Sequence, residues 1–244
     1  MGCKLAIAGV TGAVGQELLS IIEERNFPFD SIKMLASHRS AGKKIEFMGK
    51  TYIIEELTKD SFEDVDIALF SAGGGRSKEF APAAVEAGAV VVDNTSAFRM
   101  DPGTPLVIPE INAEKIKEHN GIIANPNCST IIGDVPVWPL HKANPIKRMV
   151  VSTYQAASGA GQAAMDELEQ QSRDILAGKE PVCEAFPYQI AFNCFCHKSD
   201  IEPNGYNEEE MKMINETRKI FGNDDIGITC TCVRIPVLRA HCES

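Results

Sequence analysis

Apolar positions follow two periods along the first half of the chain. Leu5-Ala6-Ile7-Ala8 is a continuous apolar run and predicts a buried strand; Val14, Leu18, Leu19, Ile21 and Ile22 then recur at helical spacing. Ile32-Lys33-Met34-Leu35-Ala36 predicts a second strand, and residues 44–54 alternate around Met48-Gly49 as an exposed strand or hairpin would. Asp66-Ile67-Ala68-Leu69-Phe70, Ala89-Val90-Val91-Val92 and Gly121-Ile122-Ile123-Ala124 predict further strands, with a helix over 77–87 that stops at Gly88. Short apolar runs separated by helical patterns are the signature of a parallel sheet built from strand–helix–strand units.

The second half changes character. A helix is predicted to start at Cys128 and to kink or end at Pro136, because proline lacks the backbone donor and clashes with the preceding turn. A strand over 148–154, a helix over 161–176 closing at Gly178, a charged helix over 208–221 and an alternating strand over 226–234 follow. Strand-like sequence then runs to His241-Cys242-Glu243-Ser244. There is no internal repeat. The change falls near Asn125-Pro126-Asn127, which predicts domains at 1–127 and 128–244.

Composition narrows the functional classes. The 244 residues are 44% hydrophobic, enough for a sizeable core. A net charge of -10 argues against a general nucleic-acid or anionic-membrane binder, so an anionic substrate would need cations supplied locally. No secretory signal and no bilayer-length apolar stretch is found, which predicts a cytoplasmic protein, or a plastid one if an upstream transit peptide is missing. The eight cysteines are expected as thiols. Cys194/Cys196, followed by His197, and Cys230/Cys232 are spaced by one residue, whereas structural zinc ligands are usually spaced by two to four. On a strand, that spacing puts both thiols on one face, like buried small hydrophobes, and no metal is expected.

Gly9-Val10-Thr11-Gly12-Ala13-Val14-Gly15 joins the first strand to the first helix. Glycines there let the backbone turn tightly and approach a pyrophosphate, which the N–H groups of the helix start then meet. The alternative is a tight turn with packing glycines. The second strand ends in Ser37-His38-Arg39-Ser40, where an NAD site would carry an acidic residue for the ribose 2′-hydroxyl. Arg39 between serines suits a 2′-phosphate and predicts NADP; a solvated surface arginine is the bland alternative. Cys128 stands where a strand gives way to a helix, and the helix N-terminus favours a thiolate there. With Asn127 and Ser129 as flanking donors, it is the candidate nucleophile.

Asn125-Pro126-Asn127-Cys128-Ser129-Thr130 resembles the active-site run of aspartate-semialdehyde dehydrogenases. The resemblance continues through the glycine loop, Ser71-Ala72-Gly73-Gly74, Asp93-Asn94-Thr95-Ser96-Ala97-Phe98-Arg99 and Ile108-Pro109-Glu110. It extends through 153–161, 205–212 and 234–241, nearly the whole chain. It implies an α/β fold, a Rossmann-type NADP-binding domain followed by an α+β catalytic and dimerisation domain. It also implies reduction of L-aspartyl-4-phosphate by NADPH to L-aspartate 4-semialdehyde and phosphate, through a thioester on Cys128. By motif, His241 would be the general acid/base and Gln155 would orient the substrate. Arg234 would hold the substrate carboxylate, Glu209 would meet its ammonium, and Arg99 and Lys212 would hold phosphate. Ser158 and Gly159 would line the cofactor beside Gly9, Thr11, Gly12, Ala13, Val14, Gly15, Ser37, Arg39 and Ser40. A solvated pair is the alternative for Glu209 and Lys212, which lie three apart on one helix face. Family chains continue beyond this histidine, so the expectation is a truncated chain, with consequences for the homodimer and for NADP affinity. The rivals are an N-acetyl-glutamyl-phosphate reductase-like enzyme and a catalytically dead fragment that binds NADP or a partner.

Overall fold

Six parallel strands organise the first half of the chain. In order come β1 (Cys3–Ala8), α1 (Ala13–Glu24), β2 (Phe29–Ala36), a hairpin of β3 (Lys44–Phe47) and β4 (Lys50–Ile53), and β5 (Glu55–Glu56). Then follow β6 (Ile67–Phe70), α2 (Gly74–Glu86), β7 (Val90–Asp93), α3 (Pro109–Asn112) and β8 (Ile122–Ala124). The main sheet has the order β5-β2-β1-β6-β7-β8, with β1 flanked by β2 and β6. Side chains alternate across a strand, so β1 feeds two cores. Ala6 and Ala8 pack with Phe62, Phe70 and Val91 on one face; Leu5 and Ile7 pack with Leu19 and Met34 on the other. Burial on both faces explains the unbroken apolar runs.

The computed structural model describes residues 2–197 and 199–244, and the chain divides into two compact units, Met1–Pro126 and Asn127–Ser244. The second contains α4 (Cys128–Ala143), β9 (Arg148–Gln155), α5 (Gln162–Leu176), β10 (Phe195–Cys196), α6 (Glu208–Phe221), β11 (Gly227–Arg234) and β12 (Cys242–Glu243). Its sheet runs β10-β11-β9-β12. The central β11 and β9 are parallel and in register from Gly227↔Arg148 to Arg234↔Gln155, while β10 and β12 are antiparallel edges. Among the described residues no helix is long and apolar enough to cross a membrane.

Two expectations are corrected and one, at Pro136, is narrowed. The helix that starts at Cys128 does not end at Pro136; α4 runs through both Pro136 and Pro139 to Ala143. Each proline removes one backbone bond, but tertiary packing holds the second half of the helix. Trp138 lies 5.1 Å and His141 5.0 Å, ring to ring, from Phe221 on α6. Cys194 and Cys196 are exposed rather than buried. On this short edge it is the intervening Phe195 that packs, against Phe186 and Tyr188, so its neighbours face outward. Cys230 and Cys232, on the central β11, are buried as expected. The segment between β11 and the end forms only the two-residue β12, the stretch before it being bends anchored to β9 and the turn after it.

Candidate active site

Asn127 builds the start of α4. Its side-chain oxygen accepts the Ser129 N–H at 3.0 Å, its own N–H donates to Glu216 Oε2 at 2.6 Å, and its Nδ2 donates to Glu209 Oε1 at 2.9 Å. Cys128 is therefore the first residue of a side-chain-capped helix, and its thiol is exposed. Free N–H groups and the partial positive charge of a helix start favour the thiolate. The Arg234 guanidinium is within electrostatic range of the same sulfur.

Gln155 and Arg234 end the two parallel central strands side by side. The Gln155 amide is buried, and its Nε2 donates to Ser129 Oγ at 3.2 Å and to Glu209 Oε1 at 3.1 Å. Its Oε1 is buried with no hydrogen-bond partner among the described residues. Arg234 is buried and donates from Nη1 to the Ala156 carbonyl at 2.9 Å, while the Ala156 N–H donates to His241 Nδ1 at 2.9 Å. The backbone of one residue, Ala156, thus orients both side chains. Burial first, then the Arg234 charge, depresses the His241 pKa, and an Nδ1 that accepts a bond leaves the proton of the neutral ring on Nε2. Gly159 explains the close approach: a Cβ there would stand 3.0 Å from both Arg234 Nη1 and His241 Nε2.

Helix α6 brings the carboxylate. Asn207 and Glu210 form a capping box, each side chain taking the other's N–H at 2.9 Å. Glu209, in the same first turn, is 5% exposed. Burial alone would raise its pKa, but Lys212, His197 and the Asn127 and Gln155 donors bring it down to about 2. Lys212 Nζ lies 3.3 Å from Glu209 and 3.0 Å from Glu208, so the ammonium expected to hold phosphate is already paired with two carboxylates. Burial would lower the Lys212 pKa, yet those partners raise it.

His197 is a member of this group that sequence reasoning missed. Its Nε2 is 3.9 Å from Glu209 Oε2 and its Nδ1 is 3.0 Å from Ser199 Oγ. Burial lowers its pKa, with Glu209 acting in the opposite direction. It sits just after Cys196, and the only signal there was a metal-like spacing. Among the described residues no group of three or more His, Cys, Asp or Glu is arranged to hold a metal.

In the first unit, a cavity of about 480 Å³ opens beside the glycine loop. Gly9, Thr11, Gly12, Ser37, Arg39 and Ser40 line it, joined by Lys43, Ser71, Ala72 and Arg76, which the sequence had not singled out for it. Gly9 has φ +95°, and a Cβ on it would come within 2.6 Å of the Ser71 carbonyl, so only glycine lets the two loops close up. Ala13, Val14 and Gly15 form the first turn of α1 and are not among the lining residues. Arg99 is also in this unit. It is buried and donates to the carbonyls of Asn94 and Asn125, both at 2.9 Å, bracing the segment that leads to Pro126. Ser158 is half-buried in the second unit, its N–H on the Leu238 carbonyl.

Comparison with known proteins agrees with this division. Residues 4–119 match the family model "Semialdehyde dehydrogenase, NAD binding domain", and residues 137–244 match "Semialdehyde dehydrogenase, dimerisation domain". Aspartate-semialdehyde dehydrogenase of Synechocystis sp. is 58% identical over 241 residues, covering 99% of this chain and 71% of the relative. The crystal structure of aspartate semialdehyde dehydrogenase II from Vibrio cholerae is 48% identical with a TM-score of 0.97, covering 100% of this chain and 73% of that one. A second structure of that protein, complexed with ASA, matches equally well. These relatives carry the aspartyl reading rather than the N-acetyl-glutamyl one. The chain belongs to the aspartate-semialdehyde dehydrogenase family.

Proposed function

We propose that the chain performs the family's reaction, reductive dephosphorylation of L-aspartyl-4-phosphate to L-aspartate 4-semialdehyde, with Cys128 as the nucleophile. The observation that carries this is the convergence, within one unit, of an exposed thiol at a helix start with Gln155, Glu209, Arg234 and His241. The Cys128 thiolate attacks the acyl carbon and the carbon–oxygen bond to phosphate breaks, leaving a thioester on the chain. The proton consumed in the overall reaction ends on phosphate. His241, with Nε2–H available, donates to the oxygen on which negative charge collects. The Arg234 fork suits the substrate carboxylate, and Glu209, ionised across the physiological range, suits its ammonium. The unpartnered Gln155 Oε1 is a further acceptor for the same substrate.

The cavity beside the glycine loop fits a dinucleotide, since its walls are loop backbone and cations and no carboxylate is among its lining residues. Bound there, a reduced nicotinamide cofactor would supply the hydride that converts the thioester to the aldehyde. Arg39, Lys43 and Arg76 support NADP over NAD, because a 2′-phosphate adds charge that these cations meet. Ser158 and Gly159 belong to the same cofactor reading, and Arg99 and Lys212 to the phosphate reading. The match to a dimerisation domain supports a homodimer formed through the second unit, and the bacterial relatives support a cytoplasmic location.

The deciding experiment is NADP reduction by this 244-residue chain with aspartate semialdehyde, with and without phosphate. Phosphate-dependent turnover is expected. Its absence beside an active longer relative would sink the reading and favour a binding-only fragment.

A further inference from the structure

Glu243 lies two residues beyond His241, on the short strand β12. Backbone pairing fixes that strand. Glu243 opposes Thr153, and Ser152 and Ser244 exchange N–H···O bonds of 2.8 and 3.0 Å. The Glu243 side chain leaves the sheet and enters the space behind the first turns of α4. A Cβ on Gly133 would stand 3.0 Å from Glu243 Oε2 and 3.5 Å from the Met213 methyl, so a glycine on α4 leaves the room this carboxyl occupies. Both Glu243 oxygens are buried, and the polar group that engages them is the Ser129 hydroxyl of α4, which accepts from Gln155 and so keeps its own proton for the carboxyl. Asp134 Oδ2 and Thr130 Oγ1 on the same helix are buried without a hydrogen-bond partner among the described residues.

We propose that Glu243 is a positioning residue whose carboxyl clamps β12 against α4 and so holds His241 in its bond to Ala156, beside Arg234. The inference rests on the catalytic reading of Cys128 and His241 given above. The clamp reaches both arms of the site. Through β12 it holds the chain that carries His241. Through Ser129, whose hydroxyl accepts from Gln155 and eases the Glu243 carboxyl, it touches the amide that faces Glu209.

The clamp is sensitive to charge. Among the described residues the polar and titratable groups around it are Ser129 and Asp134 from α4, Glu209, Glu210, Glu216 and Thr217 from α6, Thr153 from β9, and the Cys230 and Cys232 thiols from β11. Burial pushes Glu243 up to about 7, the Ser129 hydroxyl offsetting it only in part. Burial likewise pushes Asp134 up to about 7, with Glu216 and Glu243 adding to it and Thr217 opposing. The neutral carboxyl fits the space. As pH rises through this range both carboxyls take up charge in the same desolvated region, and β12 loosens from α4.

The test compares wild type, Glu243→Gln and Glu243→Ala in the full chain. It measures steady-state kinetics from about pH 6 to about 9, and the pH profile of Cys128 alkylation by iodoacetamide. Glu243→Ala is expected to lower kcat about tenfold with KM for aspartate semialdehyde little changed, since it misplaces His241 without touching substrate. Glu243→Gln, neutral and of the same shape, is expected to restore kcat and to abolish the decline above about pH 7. Wild-type kinetics in Glu243→Ala, or equal impairment in both variants, would overturn the clamp. If Glu243→Ala does not fold, an alkaline limb in Glu243→Gln unchanged from wild type overturns it. If wild type shows no turnover, the catalytic reading fails. The alkylation profiles then decide the clamp: a shift in Glu243→Ala that Glu243→Gln reverses supports it, and superimposed profiles reject it.

Discussion

The two units prepare for their ligands with different materials. The cavity in the first is walled by loop backbone, small side chains and exposed cations, supported on a parallel sheet whose two cores are plain hydrocarbon. The thiol site in the second is built from buried charge. Glu209, Arg234 and Gln155 are each 6% exposed or less and hold one another through Asn127, Ser129 and Ala156. A backbone-walled cavity loses its parts one at a time. A buried polar network loses them together, because each partner removed leaves another desolvated and unpaired. Substitutions in the second unit should therefore have larger and less additive effects than those in the first.

The sharpest separation comes from Cys128→Ala. Turnover is expected to fall by roughly 10⁴-fold or more, since the step that forms the thioester is gone. Equilibrium binding of NADPH, followed by fluorescence, should be unchanged. A parallel loss of NADPH affinity would show that the two sites are not separately built.

Glu209→Gln addresses the buried network. It leaves Lys212 with Glu208 as its remaining carboxylate and removes the counter-charge near Arg234. A loss of about 3 kcal/mol in urea unfolding near neutral pH is expected, the lower end for breaking a buried pair. The same carboxylate sets an acid limb. Its folded pKa of about 2 lies below the ordinary value of 4.5, so its stabilisation is fully present above about pH 4.5 and is lost as pH falls toward 2. Glu209→Gln should flatten that limb. A variant with wild-type stability at both pH values would mean that the network is not coupled.

Asp134 carries the opposite sign. Its folded pKa is raised from 3.8 to about 7, so its protonated form stabilises the unit at low pH, and that contribution is lost as pH rises toward 7. Asp134→Asn keeps an acceptor for the Thr217 hydroxyl and removes the charge that burial disfavours. It should raise stability at about pH 8 by about 2 kcal/mol and leave it unchanged near pH 4, as read by thermal unfolding across pH. Equal effects at both pH values would remove the ionisation argument.

How much of this was legible in the sequence follows the same division. Strands β1, β2, β6 and β7 were readable as apolar runs because burial on both faces leaves no polar alternation to confuse them. The hairpin around Met48-Gly49 and the charged helix α6, Glu208–Phe221, were also readable, while its Asn207 cap was not singled out. The extent of α4 was not. Its continuation past Pro136 depends on Trp138 and His141 meeting Phe221, a contact more than seventy positions apart that no local pattern encodes. Cys128 stood out because a thiol flanked by polar residues at a strand-to-helix change has few structural explanations. Arg234 and His241 were visible only through family motifs, since the Ala156 backbone that orients both lies far from them in sequence. His197 and Glu243 carried no motif, and their importance comes from what β10, α6 and β12 bring beside them.

The smallest effect is expected in the first unit. Arg39 lines the cavity with Lys43 and Arg76 nearby, and none of the three has a resolved structural task comparable to that of Arg234. Its guanidinium is one of several charges facing solvent and ligand, so removing it desolvates nothing and strands no partner. Arg39→Ala should leave folding stability within about 0.5 kcal/mol of wild type, as exposed substitutions usually do. It should weaken NADPH about tenfold, or about 1.4 kcal/mol, the order expected for one charge-assisted contact to a phosphate. NADH affinity should barely change, because the lost contact is to the 2′-phosphate alone. Arg39→Ala/Lys43→Ala should weaken NADPH by close to the product of the single effects, the additive behaviour denied to the second unit. Equal weakening of NADPH and NADH would assign Arg39 to the common part of the dinucleotide and dissolve the NADP preference. A large loss of stability would break the contrast, because it would mean that the first unit also rests on charged side chains rather than on its backbone.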